Sequence, residues 1–291
     1  MSSVILRLLL PCLFPLSLWS QAPTAADIRK AIATEIVSFK IAPIAVFKVE
    51  DHKVWTGTDT LGIRVYYPSG KTRLPILYNI HGGALVGGDL ETHDNISRVL
   101  AKQTGSIVVA IDYRKPPEHP YPAGLTDAGA VYTWIRTNAV SFGGDPGQIT
   151  VLGDSGGGLL AASLMLRKQP APAALVLVNP AVDLRGKANP MYTLVASWYL
   201  NGQSAADSLA SPAAATDLSA FPPTLVITSE KDELKQQGKD FFDRLKAAGV
   251  KASWVDLPGL DHLGGLWAAG HPDAQPAIKA TVDYILALRR K

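Results

Sequence analysis

The sequence contains a single cysteine, Cys12, so neither an internal disulfide bond nor a cysteine-based metal cluster can form. The six histidines are scattered, and no H-E-x-x-H or H-x-x-E-H string is present, which argues against a zinc hydrolase. The sequence also lacks a large excess of charge of one sign, because its 28 Lys and Arg residues are nearly balanced by 25 Asp and Glu residues. No basic stripe exists beyond the terminal Arg289–Lys291, so we expect no nucleic-acid partner.

Hydrophobic residues make up 47% of the 291 positions, together with 25 Gly and 21 Pro. This composition is typical of a globular protein and excludes a disordered or collagen-like chain. The length indicates one or two domains, and the sequence shows neither an internal repeat nor a low-complexity linker. We therefore predict a single domain over residues 23–291.

The first 22 residues differ in character from the rest of the sequence. Arg7 precedes an apolar run over residues 8–19, and small residues stand just before a cleavage position at Ala22. This order is typical of a secretory signal peptide, which predicts a secreted or periplasmic protein. A membrane anchor is the alternative, but the run is shorter than the roughly 20 residues that a span needs, and two prolines interrupt it. We expect no stable membrane insertion after cleavage.

Short β-branched runs alternate with longer helical stretches along the rest of the sequence. Runs that are apolar on both faces, separated by helices, indicate a mostly parallel sheet with helices on both faces. The sequence therefore predicts an α/β fold with its functional site at the carboxyl ends of the strands. The predicted strands are 61–67, 76–80, 107–111, 149–152, 175–178 and 224–228, and the predicted helices are 92–103, 124–138, 157–168, 237–248 and 273–290.

Two stretches do not fit this alternation. Residues 25–39 form a helical candidate before the first predicted strand, and residues 180–223 separate two strands. Because a plain crossover needs far fewer residues, we predict a small helical cap from about 25–45 and 181–215.

The string G-D-S-G-G at 153–157 matches the pattern G-x-S-x-G. It follows a predicted strand and opens a predicted helix, the setting in which a serine hydroxyl projects from a tight turn above the sheet. A glycine-rich phosphate turn is the alternative, but it would need G-x-G-x-x-G or a P-loop lysine, and the sequence has neither. Ser155 is therefore the candidate nucleophile.

A second glycine-containing loop, Gly82-Gly83-Ala84, follows the predicted strand 76–80. When a serine attacks an acyl group, the oxyanion that forms needs preorganised N–H donors. We predict that this loop and Gly156 supply those donors, whereas the alternative is an ordinary turn between a strand and a helix.

An acyl-transfer serine also needs a general base and an acid that orients it, in the chain order Ser, Asp or Glu, His. Of the two downstream histidines, His262 lies in a glycine-rich loop, whereas His271 stands at the start of the last predicted helix. His262 is therefore the predicted base. Asp232 follows the strand 224–228 and is the predicted acid, and Glu230 and Glu233 are neighbours that could take its role.

Several motifs in this order resemble the hormone-sensitive-lipase-like (bacterial family IV) esterases, from about residue 66 to the C-terminus. The resemblance implies an α/β-hydrolase fold, a triad of Ser155, Asp232 and His262, and oxyanion donors from Gly83, Ala84 and Gly156. It also implies that residues 112–122 brace the site from beneath. The motifs are H-G-G-A at 81–84, D-Y-R at 112–114, P-E-H-P at 117–120, G-G-D-P at 143–146, G-D-S-G-G at 153–157 and D-L-S-A-F-P-P at 217–223.

The sequence departs from the family pattern at a few positions. Ala84 replaces the third glycine of H-G-G-G, and Leu85 stands where the family usually has an aromatic residue. His262-Leu263-Gly264 replaces the usual His-Gly-Phe, and the cap segment is short. We expect these departures to change the range of substrates and not the type of reaction.

The expected function is two-step hydrolysis of small short-chain acyl esters by a secreted serine carboxylesterase that needs no metal or organic cofactor. One alternative is a polysaccharide (xylan) acetylesterase. A peptidase on the same fold commonly carries a propeller or a larger cap, for which this chain leaves little room. A non-catalytic ligand-binding protein on a hydrolase scaffold is a further alternative, but such proteins typically lose a triad member, whereas this sequence keeps all three.

Overall fold

A computed structural model describes residues 22–39, 41–186, 189–262 and 269–289. The predicted signal peptide therefore lies, apart from Ala22, outside the described residues. The strands are β1 Lys48–Trp55, β2 Thr60–Tyr67, β3 Leu74–Ile80, β4 Ile107–Ile111, β5 Gly144–Asp154, β6 Ala174–Val178, β7 Thr224–Ser229 and β8 Ala252–Leu257. The α-helices are α1 Ala25–Ser38, α2 Asp94–Thr104, α3 Ala123–Asn138, α4 Ser155–Met165, α5 Pro190–Leu200, α6 Lys235–Ala247 and α7 Gln275–Leu288.

The strands form one mixed sheet in the order β1-β2-β4-β3-β5-β6-β7-β8. β1 and β2 are antiparallel to their neighbours, and every pairing from β4 to β8 is parallel. All residues of β4, β6 and β7 are buried, as expected for parallel strands that are covered on both faces. The predicted mostly parallel α/β sheet is confirmed.

Two apolar clusters cover the two faces of the sheet. Alternate residues of β4 divide between them, because successive side chains of a strand point to opposite faces: Val109 lies in one cluster and Val108 in the other. The first cluster also contains buried residues of α3, α4 and α6, and the second contains those of α2 and α7. The predicted arrangement of helices on both faces is therefore confirmed.

Three strands differ from the sequence prediction. β1 and β8 have no counterpart among the predicted strands, and β5 begins at Gly144, several residues before the predicted strand. The predicted crossover 180–223 contains α5, which Asn189 caps by accepting the N–H of Tyr192 and which ends at Asn201 in a left-handed conformation. None of the described helices is long and apolar enough to cross a membrane.

Parallel pairing places the carboxyl ends of β3, β5, β6, β7 and β8 along the same edge of the sheet. Each sequence-predicted site residue follows one of these ends: Gly82 follows β3, Ser155 follows β5, Asp232 follows β7 and His262 follows β8. The fold therefore gathers residues from four separate parts of the chain into one place.

Candidate active site

Ser155 occupies the sharp turn between β5 and α4. Its φ angle is +50°, a left-handed conformation that costs a residue with a side chain about 1–2 kcal/mol. Glycines on both sides make the turn sterically feasible: a Cβ at Gly153 would lie 2.4 Å from the carbonyl oxygen of Gly157, and one at Gly157 would lie 2.1 Å from that of Ile80. The strained turn places the Ser155 hydroxyl at the carboxyl edge of the sheet, where the sequence predicted it.

A chain of hydrogen bonds joins the three candidate catalytic side chains. His262 Nε2 lies 2.9 Å from Ser155 Oγ, and His262 Nδ1 lies 2.9 Å from Asp232 Oδ2. A carboxylate accepts but cannot donate, so Nδ1 carries the proton and Nε2 is free to accept the hydroxyl proton of Ser155. The other carboxylate oxygen, Asp232 Oδ1, accepts the N–H of Leu234 at 2.9 Å, which fixes the orientation of the acid.

The charge around His262 determines how readily it takes a proton. Complete burial on its own lowers the pKa of the imidazole, because the charged form loses its hydration. The Asp232 carboxylate beside it, supported by Asp154 and Asp261, outweighs that effect and raises the pKa of His262 above its ordinary value. His262 is therefore a stronger base than a free imidazole.

The three alternative residues left open by the sequence lie elsewhere. Glu230 accepts the N–H of Gly259 at 2.6 Å, and Glu233 accepts from the side-chain amide of Asn189 at 2.6 Å. His271 accepts a backbone N–H at the start of the short helix that precedes α7. Each of these three side chains therefore hydrogen-bonds to a group outside the candidate triad. Asp232 is the carboxylate that hydrogen-bonds to His262.

The loop after β3 approaches the candidate nucleophile closely. Gly83, Ala84 and Leu85 follow one another with φ angles of +116°, +55° and +65°. A run of such conformations can direct successive N–H groups towards one point, as in anion-binding nests. A Cβ at Gly156 would lie only 2.7 Å from Leu85 N, so this loop meets the N-terminus of α4 directly. The local field there favours negative charge, because helix N-termini carry partial positive charge.

Gly82 requires a correction to the predicted set of oxyanion donors. Its N–H donates to Asp154 Oδ1 at 3.0 Å, and a Cβ on Gly82 would lie 2.3 Å from Asp154 Oδ2. This N–H therefore attaches the loop to the turn that carries Ser155, and Asp154 already occupies it. The candidate donors that remain are the N–H groups of Gly83, Ala84 and Gly156.

Buried aromatic and imidazole rings support this loop, and the sequence alone did not identify them as a group. His81 stacks on Tyr113 with ring centroids 4.4 Å apart, and the Tyr113 hydroxyl donates to the His81 carbonyl at 3.1 Å. Burial lowers the pKa of His81 well below its ordinary value, so the ring is neutral and its Nδ1–H donates to the Gly82 carbonyl at 2.7 Å. The ring of His93 lies 5.1 Å from that of His81, with Nε2 3.8 Å from Asp154 Oδ2.

A single arginine on α1 connects three parts of the structure near the site. Arg29 donates through Nε to the carbonyl of Val86, in the loop after β3, at 2.7 Å. Its other nitrogens donate to both carboxylate oxygens of Glu118, at 2.8 and 2.6 Å, and to the carbonyl of Pro116 at 3.0 Å. The hydrogen bonds from Arg29 lower the pKa of Glu118 to about 2, so the pair stays ionised at neutral pH. α1 is thereby fastened to the loop that supplies the candidate oxyanion donors.

A serine, an imidazole and a carboxylate are joined by hydrogen bonds at the carboxyl edge of a mostly parallel sheet. This arrangement is typical of the α/β hydrolases, which is the class of protein that the fold defines. Within the described residues, no group of three or more His, Cys, Asp or Glu side chains could hold a metal ion.

Comparisons with known proteins agree with this class. The alpha/beta hydrolase fold family profile matches residues 77–264. The chain is 31% identical to the carboxylesterase NlhH of Mycobacterium tuberculosis over 292 residues, which cover 92% of this chain and 91% of that protein. It is 30% identical to an arylesterase of Saccharolobus solfataricus over 254 residues, covering 81% of this chain and 83% of that protein. An esterase structure from Pyrobaculum calidifontis superimposes with a TM-score of 0.85 at 31% identity, covering 99% of both chains.

The chain therefore belongs to the hormone-sensitive-lipase-like (family IV) esterases of the α/β-hydrolase superfamily. It is a serine hydrolase that acts on carboxylic ester bonds.

Proposed function

We propose that this protein is a carboxylesterase that hydrolyses short-chain acyl esters through an acyl-enzyme formed on Ser155. The observation that carries the proposal is the hydrogen-bonded series from Asp232 through His262 to Ser155, with both heavy-atom distances at 2.9 Å. This is the distance at which a base takes a proton directly from its partner. The role of each residue follows from its position in the series.

In the first step His262 Nε2 takes the hydroxyl proton while Ser155 Oγ forms a bond to the ester carbonyl carbon. The negative charge that develops on the carbonyl oxygen is stabilised by the N–H groups of Gly83, Ala84 and Gly156. The imidazolium of His262, stabilised by the carboxylate of Asp232, then gives its proton to the leaving alkoxide as the carbon–oxygen bond breaks.

In the second step a water molecule attacks the acyl-enzyme on Ser155. His262 takes one proton from that water and returns it to Ser155 Oγ as the acid product leaves. The raised pKa of His262 helps this cycle, because a stronger base holds the proton until the leaving oxygen can accept it.

A covalent label provides the direct test of this proposal. An alkyl p-nitrophenyl phosphonate should phosphonylate Ser155 at a rate that parallels the loss of activity on p-nitrophenyl butyrate. Peptide mass mapping would locate the label. Modification of another residue, with Ser155 unmodified in the inactive enzyme, would reject the assignment.

The size of the acyl pocket depends on what covers the strand ends. We propose that α1 and the segment around α5 form a small cap, in line with the sequence prediction. α5 packs Met191, Val195 and Tyr199 into the apolar core, so these side chains are already committed to packing. Residues 205–216 are mostly Ala and Ser, which build little wall. A cap of this kind would enclose a compact pocket and not a long tunnel.

Activity should therefore be highest on acetyl to hexanoyl p-nitrophenyl esters and at least about tenfold lower on the decanoyl ester. Each added methylene stabilises binding by about 0.8 kcal/mol only while the pocket can bury it. The measurement is kcat/KM across the acyl series, with emulsified triglyceride and acetylated xylan as additional substrates. A maximum at dodecanoyl, or activation at an oil–water interface, would contradict the small cap while leaving the esterase assignment intact. Preference for acetylated xylan would indicate a polysaccharide acetylesterase.

We also propose that the protein is exported and that residues 1–22 are removed. The proposal is supported by the basic, apolar and small-residue order of that segment. Protein recovered from an exporting host should begin at or near Pro23 when its N-terminus is sequenced. Intact Met1 in a membrane fraction would instead indicate an anchor.

A further inference from the structure

The three residues that follow β6 lie where the loops of the candidate triad converge. The backbone N–H of Ala181 donates to the carbonyl of Ser155 at 3.0 Å. The side-chain amide of Asn179 donates to Ser229 Oγ at 3.0 Å and to the backbone carbonyl of His262 at 3.3 Å. One short segment thus contacts the nucleophile turn, the end of β7 and the residue that carries the base.

The orientation of the Asn179 amide is determined by its neighbours. The carbonyl of His262 can only accept, so the NH₂ group must face it. Asn179 Oδ1 is then buried without a hydrogen-bond partner among the described residues. An unpaired buried oxygen is unfavourable, because it loses its hydration and gains no partner in exchange.

The backbone of Asn179 is also in an unfavourable conformation. Its φ angle is +43°, although the residue is 2% exposed and directly follows a buried parallel strand. Backbone strain of this kind persists where the surrounding structure enforces it, and strained residues are concentrated at functional sites. Asn179 thus combines an unpaired buried oxygen with a strained backbone conformation, and it lies next to the residue that carries the base. This combination points to a role other than stability.

Ser229, the second hydrogen-bond partner of Asn179, connects this residue to the turn that carries the acid. Ser229 is the last residue of β7, and its carbonyl accepts the N–H of Asp232 at 3.1 Å. Asn179 therefore joins the backbone of His262 to the residue from which the acid-bearing turn begins. The imidazole must stay within about 3 Å of both the acid and the nucleophile, and an error of 1 Å in such a site can cost about 10²-fold in rate.

We propose that Asn179 is a positioning residue of the esterase site, which holds the His262 carbonyl beside Ser229 so that the imidazole reaches Ser155 and Asp232 together. The inference rests on the proposed function of the triad. It assigns Asn179 no contact with the substrate.

Asn179→Gly is the principal test, because glycine adopts a positive φ without strain while the side chain that carries the amide is removed. We expect kcat on p-nitrophenyl butyrate to fall by about 10–100-fold, with KM changed by less than about threefold. The acid limb of the kcat/KM profile should also move to lower pH, because Asp232, which raises the pKa of His262 together with Asp154 and Asp261, is then less well aligned. A purely structural role would lower the free energy of unfolding and leave the profile in place.

Asn201→Gly is the matched control. It makes the same substitution at an exposed residue with a φ angle of +45°, and its kinetics should match those of the wild type. Ser229→Ala removes the other acceptor of the Asn179 amide, so kcat should fall in the same direction as in Asn179→Gly, but by less, because the contact with the His262 carbonyl remains.

Asn179→Asp provides a second variant if the glycine variant does not fold, since it keeps the shape of the side chain. The introduced carboxyl can donate to the His262 carbonyl when protonated and repels it when ionised. Its kcat relative to wild type should therefore decline as pH rises. Unchanged kcat in Asn179→Gly, or parallel pH profiles for Asn179→Asp and wild type, would overturn the inference. Full activity in Ser155→Ala would instead overturn the proposed function, so the two failures are distinguishable.

Discussion

Ser155→Ala should lower kcat on p-nitrophenyl butyrate by about 10⁴-fold or more, because the members of a catalytic triad act as a unit. Without the hydroxyl no acyl-enzyme forms, and any remaining rate comes from water attacking a carbonyl bound at the oxyanion donors. Steady-state kinetics would measure the loss. The phosphonate label should fail to attach to this variant.

The control for this variant is Ser163→Ala, in the same helix. Ser163 is fully buried, and its hydroxyl has no hydrogen-bond partner within the part of the chain that the structure describes. Removing that hydroxyl should leave kcat within about twofold of wild type, since no buried donor or acceptor loses its partner. A loss of less than tenfold in Ser155→Ala would contradict the mechanism, provided that the variant contains no trace of wild-type enzyme.

Asp232→Asn should lower kcat by about 10⁴-fold while the fold is retained. An amide can direct its NH₂ group at His262 Nδ1, which would move the ring proton to Nε2 and leave no lone pair to accept the hydroxyl proton of Ser155. The charge also matters, because Asp232 raises the pKa of His262. Its removal lowers that pKa, so the acid limb of the remaining kcat/KM profile should lie at lower pH than in the wild type.

Glu233→Gln is the matched control for the acid. Its carboxylate accepts from Asn189 and not from His262, so its kcat should stay within about threefold of wild type. If Asp232→Asn kept more than a tenth of its activity while Glu233→Gln or Glu230→Gln lost most of it, the acid role would belong to one of the glutamates.

Local patterns made the core of this fold predictable from the sequence. β4 and β6 are apolar at every position and β7 has a Leu-Val-Ile run at its centre, because these strands are buried on both faces, and such runs are readily recognised in a sequence. β1 was missed because its sequence is Lys-Val-Glu-Asp-His-Lys-Val-Trp, in which Val54 is the single fully buried residue. Its conformation comes from pairing with β2, a contact that the local sequence does not encode.

The residues of the candidate site could likewise be predicted from the sequence only in part. Ser155, Asp232 and His262 could be named because each follows a recognisable strand or motif. Gly82 was misassigned because the partner of its N–H, Asp154, lies 72 positions further along the chain. The contact of Asn179 with the carbonyl of His262 spans 83 positions, and no local pattern indicates it.

The charged residues of β1, which made this strand difficult to predict, also affect the exposed edge of the sheet. β1 is the terminal strand, so one side of its backbone has no neighbour within the sheet. An exposed row of backbone N–H and C=O groups is a template on which another chain can add a strand. Lys48, Asp51 and Lys53 are exposed on this strand, and their charges would have to lose hydration if a second copy paired there. The charged residues of this terminal strand therefore oppose edge-to-edge aggregation.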